Sequence, residues 1–317
     1  AKNDADIETT VHWHGLRLEN RYDGVPHDTQ PPIQIGETFT YQVQFPDAGL
    51  YWYHPPLRED YAQEMGLYGT IVVEPFDPSY WPQVDRQVTL TLDDVLIEDG
   101  CMAPFRRSGP TFTAMGRFGN VLLINGETAF SSEAALGEVL RLYLVNTANT
   151  RIFNIALPGA RTKLIDGDSG RYEREMFVDD VLLAPSERAV VDVLFNTPGE
   201  VRIEHRTPDR VYELGTFVVK DTRAAASSAA RSFDVLRVDP QLSAEHGNFL
   251  QRQGLSPVPN FYFIGRSWQR SRGSALITGV GADAQCLTDP IIKQLGRASG
   301  QAQVSGGLTY RGVPESA

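Results

Sequence analysis

Residues 138–146 read Glu-Val-Leu-Arg-Leu-Tyr-Leu-Val-Asn and place a leucine at every second position from Leu140 to Leu144. Side chains alternate between the two faces of a strand, so this pattern predicts a strand with one buried face and one wet face. Residues 88–92 and 191–195 alternate in the same way, and Asn, Pro or Gly turn residues close each run. Many short strands between such turns predict an all-β fold built of β-sandwiches.

An internal repeat supports two such sandwiches. Residues 35–49 align with residues 185–199 at a constant offset, which matches Glu37 to Glu187 and Gly49 to Gly199. The first copy then reaches His54 and the second reaches His205, one residue out of step. Duplication of one sandwich is the simplest explanation, and chance recurrence of strand and turn patterns is the alternative.

Three regions follow from the repeat and from the charge. Residues 1–78 are interpreted as a first sandwich that lacks its beginning, because such a fold needs about 100 residues. Residues 79–222 form the second sandwich. Residues 223–317 are expected to be a linker and an irregular segment, since 10 basic and 6 acidic residues there replace the 19 basic and 34 acidic residues before them. Residues 261–317 are hypothesised to result from a frameshift or a truncation.

The composition excludes several classes of function. A net charge of −11 disfavours binding to nucleic acid or to anionic lipid, and no run of about 18 apolar residues predicts a membrane span. The two cysteines, Cys101 and Cys286, are too few for a disulfide scaffold and lie in no zinc motif, so both are interpreted as structural or incidental thiols. No secretion signal is recognised, which leaves the compartment undetermined.

Two histidines follow a β-branched run in the sequence Thr9-Thr10-Val11-His12-Trp13-His14. Residues two apart on a strand share a face, so both imidazoles could hold one metal or two adjacent metals, and His54 is the candidate third ligand. Imidazole suits copper, zinc, iron or nickel. The alternative is that these are ordinary half-buried histidines.

The motifs around these histidines resemble a known family. TTVHWHGLRLENRYDGVPHDTQPPI at residues 9–33 and YQVQFPDAGLYWYHPPLREDYAQEMGLYGTIVVEP at residues 41–75 resemble the first copper-binding domain of laccase-like multicopper oxidases. TLTLDDVLIEDG at residues 89–100, NTANTRIFNIALPGA at residues 146–160 and the segment 177–210 resemble their ligand-free second domain. The resemblance covers residues 9–222.

The resemblance implies tandem cupredoxin-like Greek-key β-sandwiches and copper as cofactor. Family members oxidise phenols, aromatic amines or metal ions by single electrons and reduce dioxygen to water, and a periplasmic or secreted location is typical. His12 would be a type 2 copper ligand, and His14 and His54 would be type 3 ligands. Asp23 and Glu64 could accept hydrogen bonds from these rings, although exposed loop carboxylates are the favoured interpretation. Dioxygen, a small reducing substrate and a second copy of the chain are the candidate partners.

Departures from the family pattern limit that prediction. Pro56 stands where the family's His-Pro-His motif has its second histidine, and the third-domain motifs that supply the remaining ligands do not occur. The family's copper sites use ten histidines, against 6 in this chain. The chain is therefore predicted to be incomplete and weak or inactive as an oxidase. The alternative is a non-catalytic scaffold that holds at most one metal ion through three histidines, while a two-domain nitrite reductase-like enzyme lacks its copper ligands in the same way.

The remaining candidates are interpreted as structural. His27 is expected to be a solvated loop residue, His205 a structural residue of the ligand-free copy, and His246 lies in no ligand motif. Asp166-Gly167-Asp168 is predicted to be a polar turn, because it lacks the loop length and the final glutamate of a calcium-binding loop.

Overall fold

The alternating runs of the sequence form strands, and the computed structural model describes them in residues 1–105, 116–223 and 228–238, with further positions at 255, 284, 287, 288 and 290–292. His246 and Cys286 lie outside the described residues, as does most of 261–317. Packing divides the chain into two compact units, Ala1–Arg237 and Val238–Ala317. All sheets given below belong to the first unit. In the described part of the chain, no helix is long and apolar enough to span a membrane.

The first copy contributes three paired strands, and the second copy contributes the rest. The strands are β1 His12–His14, β2 Gly49–His54, β3 Gly69–Val73, β4 Arg86–Val95, β5 Ile97–Glu98, β6 Cys101–Met102, β7 Val121–Ile124, β8 Phe130–Leu136, β9 Val139–Asn146, β10 Phe153–Ala156, β11 Arg161–Gly167, β12 Gly170–Val178, β13 Val181–Leu183, β14 Arg188–Leu194, β15 Gly199–Arg206 and β16 Val211–Arg223. The helices are α1 Glu59–Ala62 and α2 Ser228–Ser232, with a 3₁₀ turn at Asn20–Tyr22. The predicted all-β class is confirmed.

Two sheets enclose the main core. The six-stranded sheet has the order β12-β11-β14-β9-β4-β7, and the five-stranded sheet has the order β13-β10-β15-β16-β8. The parallel pairs β4 with β9 and β8 with β16 mark the crossovers of the sandwich. Leu140, Leu142 and Leu144 on β9 are fully buried and belong to one cluster with Phe153 and Phe217 of the opposite sheet. The predicted apolar face of β9 therefore forms the core.

The prediction that β9 has a wet face is wrong, because all eight of its residues are buried. Tyr143 on the other face packs in a second apolar cluster with Leu50 and Trp52 of β2. Arg141 on the same face makes a buried ion pair with Asp192, Nε to Oδ1 2.8 Å. The first copy thus covers the outer face of the six-stranded sheet.

Equivalent asparagines anchor the two copies. Asn3 donates through Nδ2 to the Ile33 carbonyl at 2.8 Å and accepts from the Ala5 amide at 3.0 Å. Asn146 donates to the Leu183 carbonyl at 2.9 Å and accepts from the Ala148 amide at 3.0 Å. Ile33 and Leu183 are matched residues of the repeat, so these bonds support duplication rather than chance.

The turn that follows is also the same in both copies. Glu37 accepts from the amide of Gln34, and Glu187 accepts from the amide of Ala184, at 3.2 and 2.7 Å. The matched positions Gly36 and Ser186 both have left-handed backbone, with φ of 83° and 73°. Only the glycine adopts this conformation without steric cost.

The copies differ in strand pairing. β14 lies between β11 and β9 in the six-stranded sheet. The matching segment of the first copy, residues 38–44, forms a bridge from Thr38 to Lys2, and the Phe39 amide donates to the Ala1 carbonyl at 2.9 Å. From Thr40 to Phe45 no backbone–backbone hydrogen bond to a described residue occurs. The alternation shared with β14 therefore does not produce a full ladder here.

Residues 228–237, which fall within the predicted linker and irregular segment, pack on the second sandwich. Ala229 of α2 and Phe233 are buried against Val139. Lys163 donates to the Phe233 carbonyl at 3.2 Å, and Arg237 exchanges backbone and side-chain bonds with Glu175. Buried polar groups therefore hold residues 228–237 on the second sandwich, past the boundary predicted from composition.

Candidate metal centre

The β1–β2 ladder brings the three predicted histidines together. β1 and β2 pair antiparallel, with His12 opposite His54 and His14 opposite Trp52. Since residues two apart share a face, His14 lies on the same side as the other two rings. One nitrogen from each ring lies within 4.8 Å of the others. Strand register therefore gathers, from positions 40 residues apart, a group that could hold a metal ion.

Asp23, in the loop before Gly24, orients the ring of His12. Its Nδ1 lies 2.9 Å from the carbonyl oxygen of Asp23 and 3.2 Å from Asp23 Oδ1. Both oxygens only accept, so Nδ1 carries the proton and Nε2 keeps its lone pair. Gly24 lets the loop that carries Asp23 approach the backbone next to His12, because a Cβ at position 24 would lie 1.9 Å from the Val11 carbonyl oxygen. Asp23 thus has the hydrogen-bonding role that the sequence offered as one interpretation.

One ring nitrogen of His14 lies close to one ring nitrogen of His54. His14 Nδ1 lies 3.4 Å from His54 Nε2. Two nitrogens bound to one tetrahedral ion at about 2.0 Å would lie about 3.3 Å apart, so this spacing fits a shared ion. His54 stacks on Trp52 with ring centroids 4.3 Å apart, which fixes the plane of its imidazole.

Burial keeps these two rings neutral. Burial lowers the pKa of His14 to about 3, and the positive charge of Arg188 contributes to the shift. Burial lowers the pKa of His54 to about 4, with His12 as the next cause. The buried His54 Nδ1 has no hydrogen-bond partner among the described residues, and the Glu59 carboxylate lies 3.8 Å away. At neutral pH both rings offer lone pairs, as imidazole ligands must.

A cavity of about 360 Å³ opens at these rings. Besides the histidines, its lining includes Pro56 and Gln63 from the first copy and Asn149 and Ser186 from the second. Pro56 is thus beside the site but supplies no ligand atom. The candidate centre faces the second sandwich, which closes one side of it.

The second copy lacks the ligands at the matching positions. β10 and β15 pair with Ala156 opposite Glu204, the register that β1 and β2 use for His12 and His54. Counting two residues on from Ala156 places Pro158 where His14 stands. The residue equivalent to His54 is therefore Glu204, and not the neighbouring His205 that sequence alignment suggested.

Glu64 is a correction to the sequence interpretation. It is not an exposed loop carboxylate but is 5% exposed, and it accepts from Arg117 Nε at 3.1 Å. Its other hydrogen bonds come from the Leu96 amide and Asn149 Nδ2, at 3.2 and 3.3 Å. Arg117, 53 residues away, offsets the free-energy cost of burying this carboxylate. The residues around Glu64 do not reveal this partner.

His27 and His205, the other histidines that the structure describes, lie apart from the group. His27 is exposed and has left-handed backbone with φ of 67°, as a loop residue. His205 is buried, accepts from the Asn154 amide at 3.1 Å and stacks on Tyr212, so it is structural as expected. Cys101 is a free, exposed thiol on β6.

The predicted polar turn at Asp166-Gly167-Asp168 is only partly correct. Asp166 lies on β11, is fully buried and accepts from Trp81 Nε1 at 2.7 Å. Asp168 does lie in the turn and accepts from the Arg188 amide at 2.9 Å. Asp166 is buried because its indole partner is supplied from 85 residues away.

Comparisons with known proteins agree with this architecture. A family model described as multicopper oxidase matches residues 1–77. Copper resistance protein A of Escherichia coli is 25% identical over 271 residues, which cover 71% of this chain and 44% of that protein. Laccase-1 of Thanatephorus cucumeris is 29% identical over 175 residues, covering 50% of this chain and 30% of the relative. A crystal structure of a multi-copper oxidase from Pseudomonas thermotolerans matches with a TM-score of 0.63 and 31% identity, over 71% of this chain and 54% of that chain.

Residues 1–77 thus match a multicopper oxidase domain, and the β-sandwiches share the cupredoxin fold of multicopper oxidases over 71% of the chain. The resemblance stated from the sequence motifs is confirmed. The chain spans about half the length of the relatives it matches. Copper is the metal that the family implies, and three imidazoles fit copper, since His54 is buried, His14 is half-buried and both rings are neutral.

Proposed function

We propose that His12, His14 and His54 bind copper through ring nitrogens. The observation that carries this proposal is the convergence of three imidazole nitrogens within 4.8 Å on one face of the β1–β2 ladder. The 3.4 Å between His14 Nδ1 and His54 Nε2 supports it further, because two nitrogens bound to one tetrahedral ion would lie about 3.3 Å apart.

We propose that the chain is a member of the multicopper oxidases, enzymes that take single electrons from a small reducing substrate and pass them to dioxygen. Copper supplies the one-electron chemistry when bound. The protein's residues orient the ligands: Asp23 holds the Nδ1–H of His12, and Trp52 fixes the ring plane of His54. Family relatives named as a laccase and as a copper resistance protein support this class of activity. Phenols, aromatic amines and metal ions are the substrate classes proposed by resemblance.

Copper per chain tests the binding proposal. The purified chain is loaded with copper, dialysed to remove loosely held metal, and analysed by atomic spectroscopy with an absorption spectrum of the same sample. We expect copper in the wild type and its loss in His14→Ala, while His27→Ala retains it because His27 lies outside the group. Equal copper in wild type and His14→Ala would contradict the assignment.

A second candidate function is a non-catalytic scaffold that holds one metal ion. Pro56 favours it, because this residue borders the cavity without offering a ligand atom. One copper per chain, with no blue absorption and no dioxygen consumption with a phenol, would support the scaffold. Three or four coppers with blue colour would support the oxidase. Light scattering of the same samples tests the predicted self-association, with a mass of one chain, 35.1 kDa, contradicting it.

A further inference from the structure

Arg188 of the second sandwich extends into the first. Its side chain is only 3% exposed, and its Nε donates to the carbonyl of Leu50 at 3.1 Å. Leu50 lies on β2, the strand that ends at His54. The guanidinium therefore joins the strand that carries one candidate ligand to β14 of the other sandwich.

Gly15 brings the same guanidinium next to His14. Gly15 directly follows His14 and has φ of 87°, and a Cβ built there would lie 2.4 Å from Arg188 Nη2. Any other residue at this position would displace the guanidinium. The absence of a side chain at position 15 thus lets a buried positive charge lie against the residue that directly follows a candidate copper ligand.

Asp168 partly balances that charge. Arg188 Nη1 lies 2.6 Å from Asp168 Oδ1, and Nη2 donates to the Asp168 carbonyl at 2.9 Å. The Asp168 side chain is 42% exposed, so solvent screens it more than it screens the guanidinium. The side of the site next to Arg188 therefore keeps a net positive character.

We propose that Arg188 is a positioning residue that sets the preference of the three-histidine site for Cu⁺ over Cu²⁺; this inference rests on the proposed copper binding. A fixed positive charge repels a divalent ion more than a monovalent ion at the same distance, and the effect is larger in a buried site than in water. The residue also holds β2 in place through Leu50, so loss of its geometry and loss of its charge must be separated.

The experiment compares dissociation constants for the two oxidation states. The Kd for Cu²⁺ is measured by competition with a chelator in air, and the Kd for Cu⁺ by competition under anaerobic, reducing conditions. Arg188→Met removes the charge and keeps the length of the side chain. We expect its Kd for Cu²⁺ to tighten relative to its Kd for Cu⁺ by about tenfold. Arg188→Lys keeps the charge, and we expect its Kd ratio to stay within about twofold of wild type.

Two further variants keep the test decisive. Arg141→Met removes another buried guanidinium, one that pairs with Asp192 on the neighbouring strand, and we expect an unchanged Kd ratio. Asp168→Asn removes only the balancing charge at a partly exposed position, so it should fold even if Arg188→Met does not. We expect it to shift the ratio in the opposite direction, toward Cu⁺, by about twofold to threefold.

Each result has one meaning. If Arg188→Met and Asp168→Asn leave the ratio unchanged while wild type binds both ions, this inference is overturned and the copper site stands. Equal weakening of both Kd values in Arg188→Met and Arg188→Lys would also overturn it, because that result shows a structural role alone. If wild type binds neither ion, the proposed copper site itself fails, and this inference fails with it.

Discussion

The imidazole of His12 lies opposite that of His54 across the β1–β2 ladder, with ring centroids 5.3 Å apart and planes at 79°. Antiparallel pairing places these two residues opposite each other on neighbouring strands. The edge-to-face arrangement of their rings directs ring nitrogens toward a common space beside His14. The candidate metal centre is thus a product of strand register, and we expect substitutions around the ladder to change metal affinity in defined ways.

Asp23→Asn tests the orientation of His12. The variant keeps the backbone carbonyl at 2.9 Å but replaces the carboxylate at 3.2 Å with a neutral amide, so the negative charge that stabilises the ring as a ligand is lost. We expect copper affinity to fall by about tenfold, as for other carboxylates that hold a metal-bound histidine. Competition with a chelator measures it. Asp28→Asn, an exposed residue of the same loop, is the matched control and should bind like wild type.

Pro56→His should strengthen the site. Position 56 borders the cavity that the three histidines open into, so an imidazole there has room to reach a shared ion. We expect tighter copper binding, by about tenfold or more, or a higher copper content. Pro31→His at an exposed position controls for adventitious binding by an added histidine. Identical affinities for wild type and Pro56→His would show that the segment after β2 does not form a family-like site.

Asp166 should make stability fall as the pH rises. Burial raises the pKa of this carboxyl to about 7, so the folded state binds a proton that the unfolded chain releases near pH 4. Its contribution is complete below about pH 4 and is lost as the pH rises toward 7. We expect Asp166→Asn to flatten the pH dependence of the unfolding free energy over this window by about 2 kcal/mol.

Urea titrations at several pH values between 4 and 8 measure this effect. Part of the slope will remain in the variant, because burial also raises the pKa of Asp93 to about 7. A variant whose slope equals that of the wild type would show that folding does not raise the pKa of Asp166.

The two anchoring asparagines should be costly to replace. Asn146 is fully buried, and its side chain makes hydrogen bonds to the carbonyls of Arg151 and Leu183 and to the amide of Ala148. Asn146→Ala leaves these groups without partners, so we expect a loss of about 3 kcal/mol in unfolding free energy. Asn3→Ala should cost a similar amount in the first copy. Asn196→Ala, at an exposed position, should change stability by less than about 0.5 kcal/mol.

Local sequence predicted the strands and the shared face of His12 and His14 because both depend on short-range alternation. The pattern in β9 identified its core face, and the spacing of His12 and His14 placed both rings on one side of β1. The same pattern could not show that Tyr143 is covered by Leu50 and Trp52, because that contact joins distant parts of the chain.

Arg188 was missed for the same reason. Its bond to Leu50 spans 138 residues, and nothing in the residues around position 188 indicates a contact with the histidine strands. The glycine after His14 was the only local signal, and a glycine after a strand usually indicates a turn. Buried charges of this kind are predictable only when their partners are known, as Glu64 and Arg117 also illustrate.

The duplicated anchor has a consequence for the order of events during biogenesis. Ala156, Pro158 and Glu204 occupy the ligand positions of the second copy, yet that copy keeps the asparagine anchor, the turn and the strand register of the first. The framework of the second copy therefore needs no metal, unlike a zinc finger, whose folding requires its ion, and we expect the matching framework of the first copy to form in the same way. Folding can precede metal loading, so copper would enter a finished cavity, and the supply of copper would limit occupancy of the site rather than the yield of folded chain.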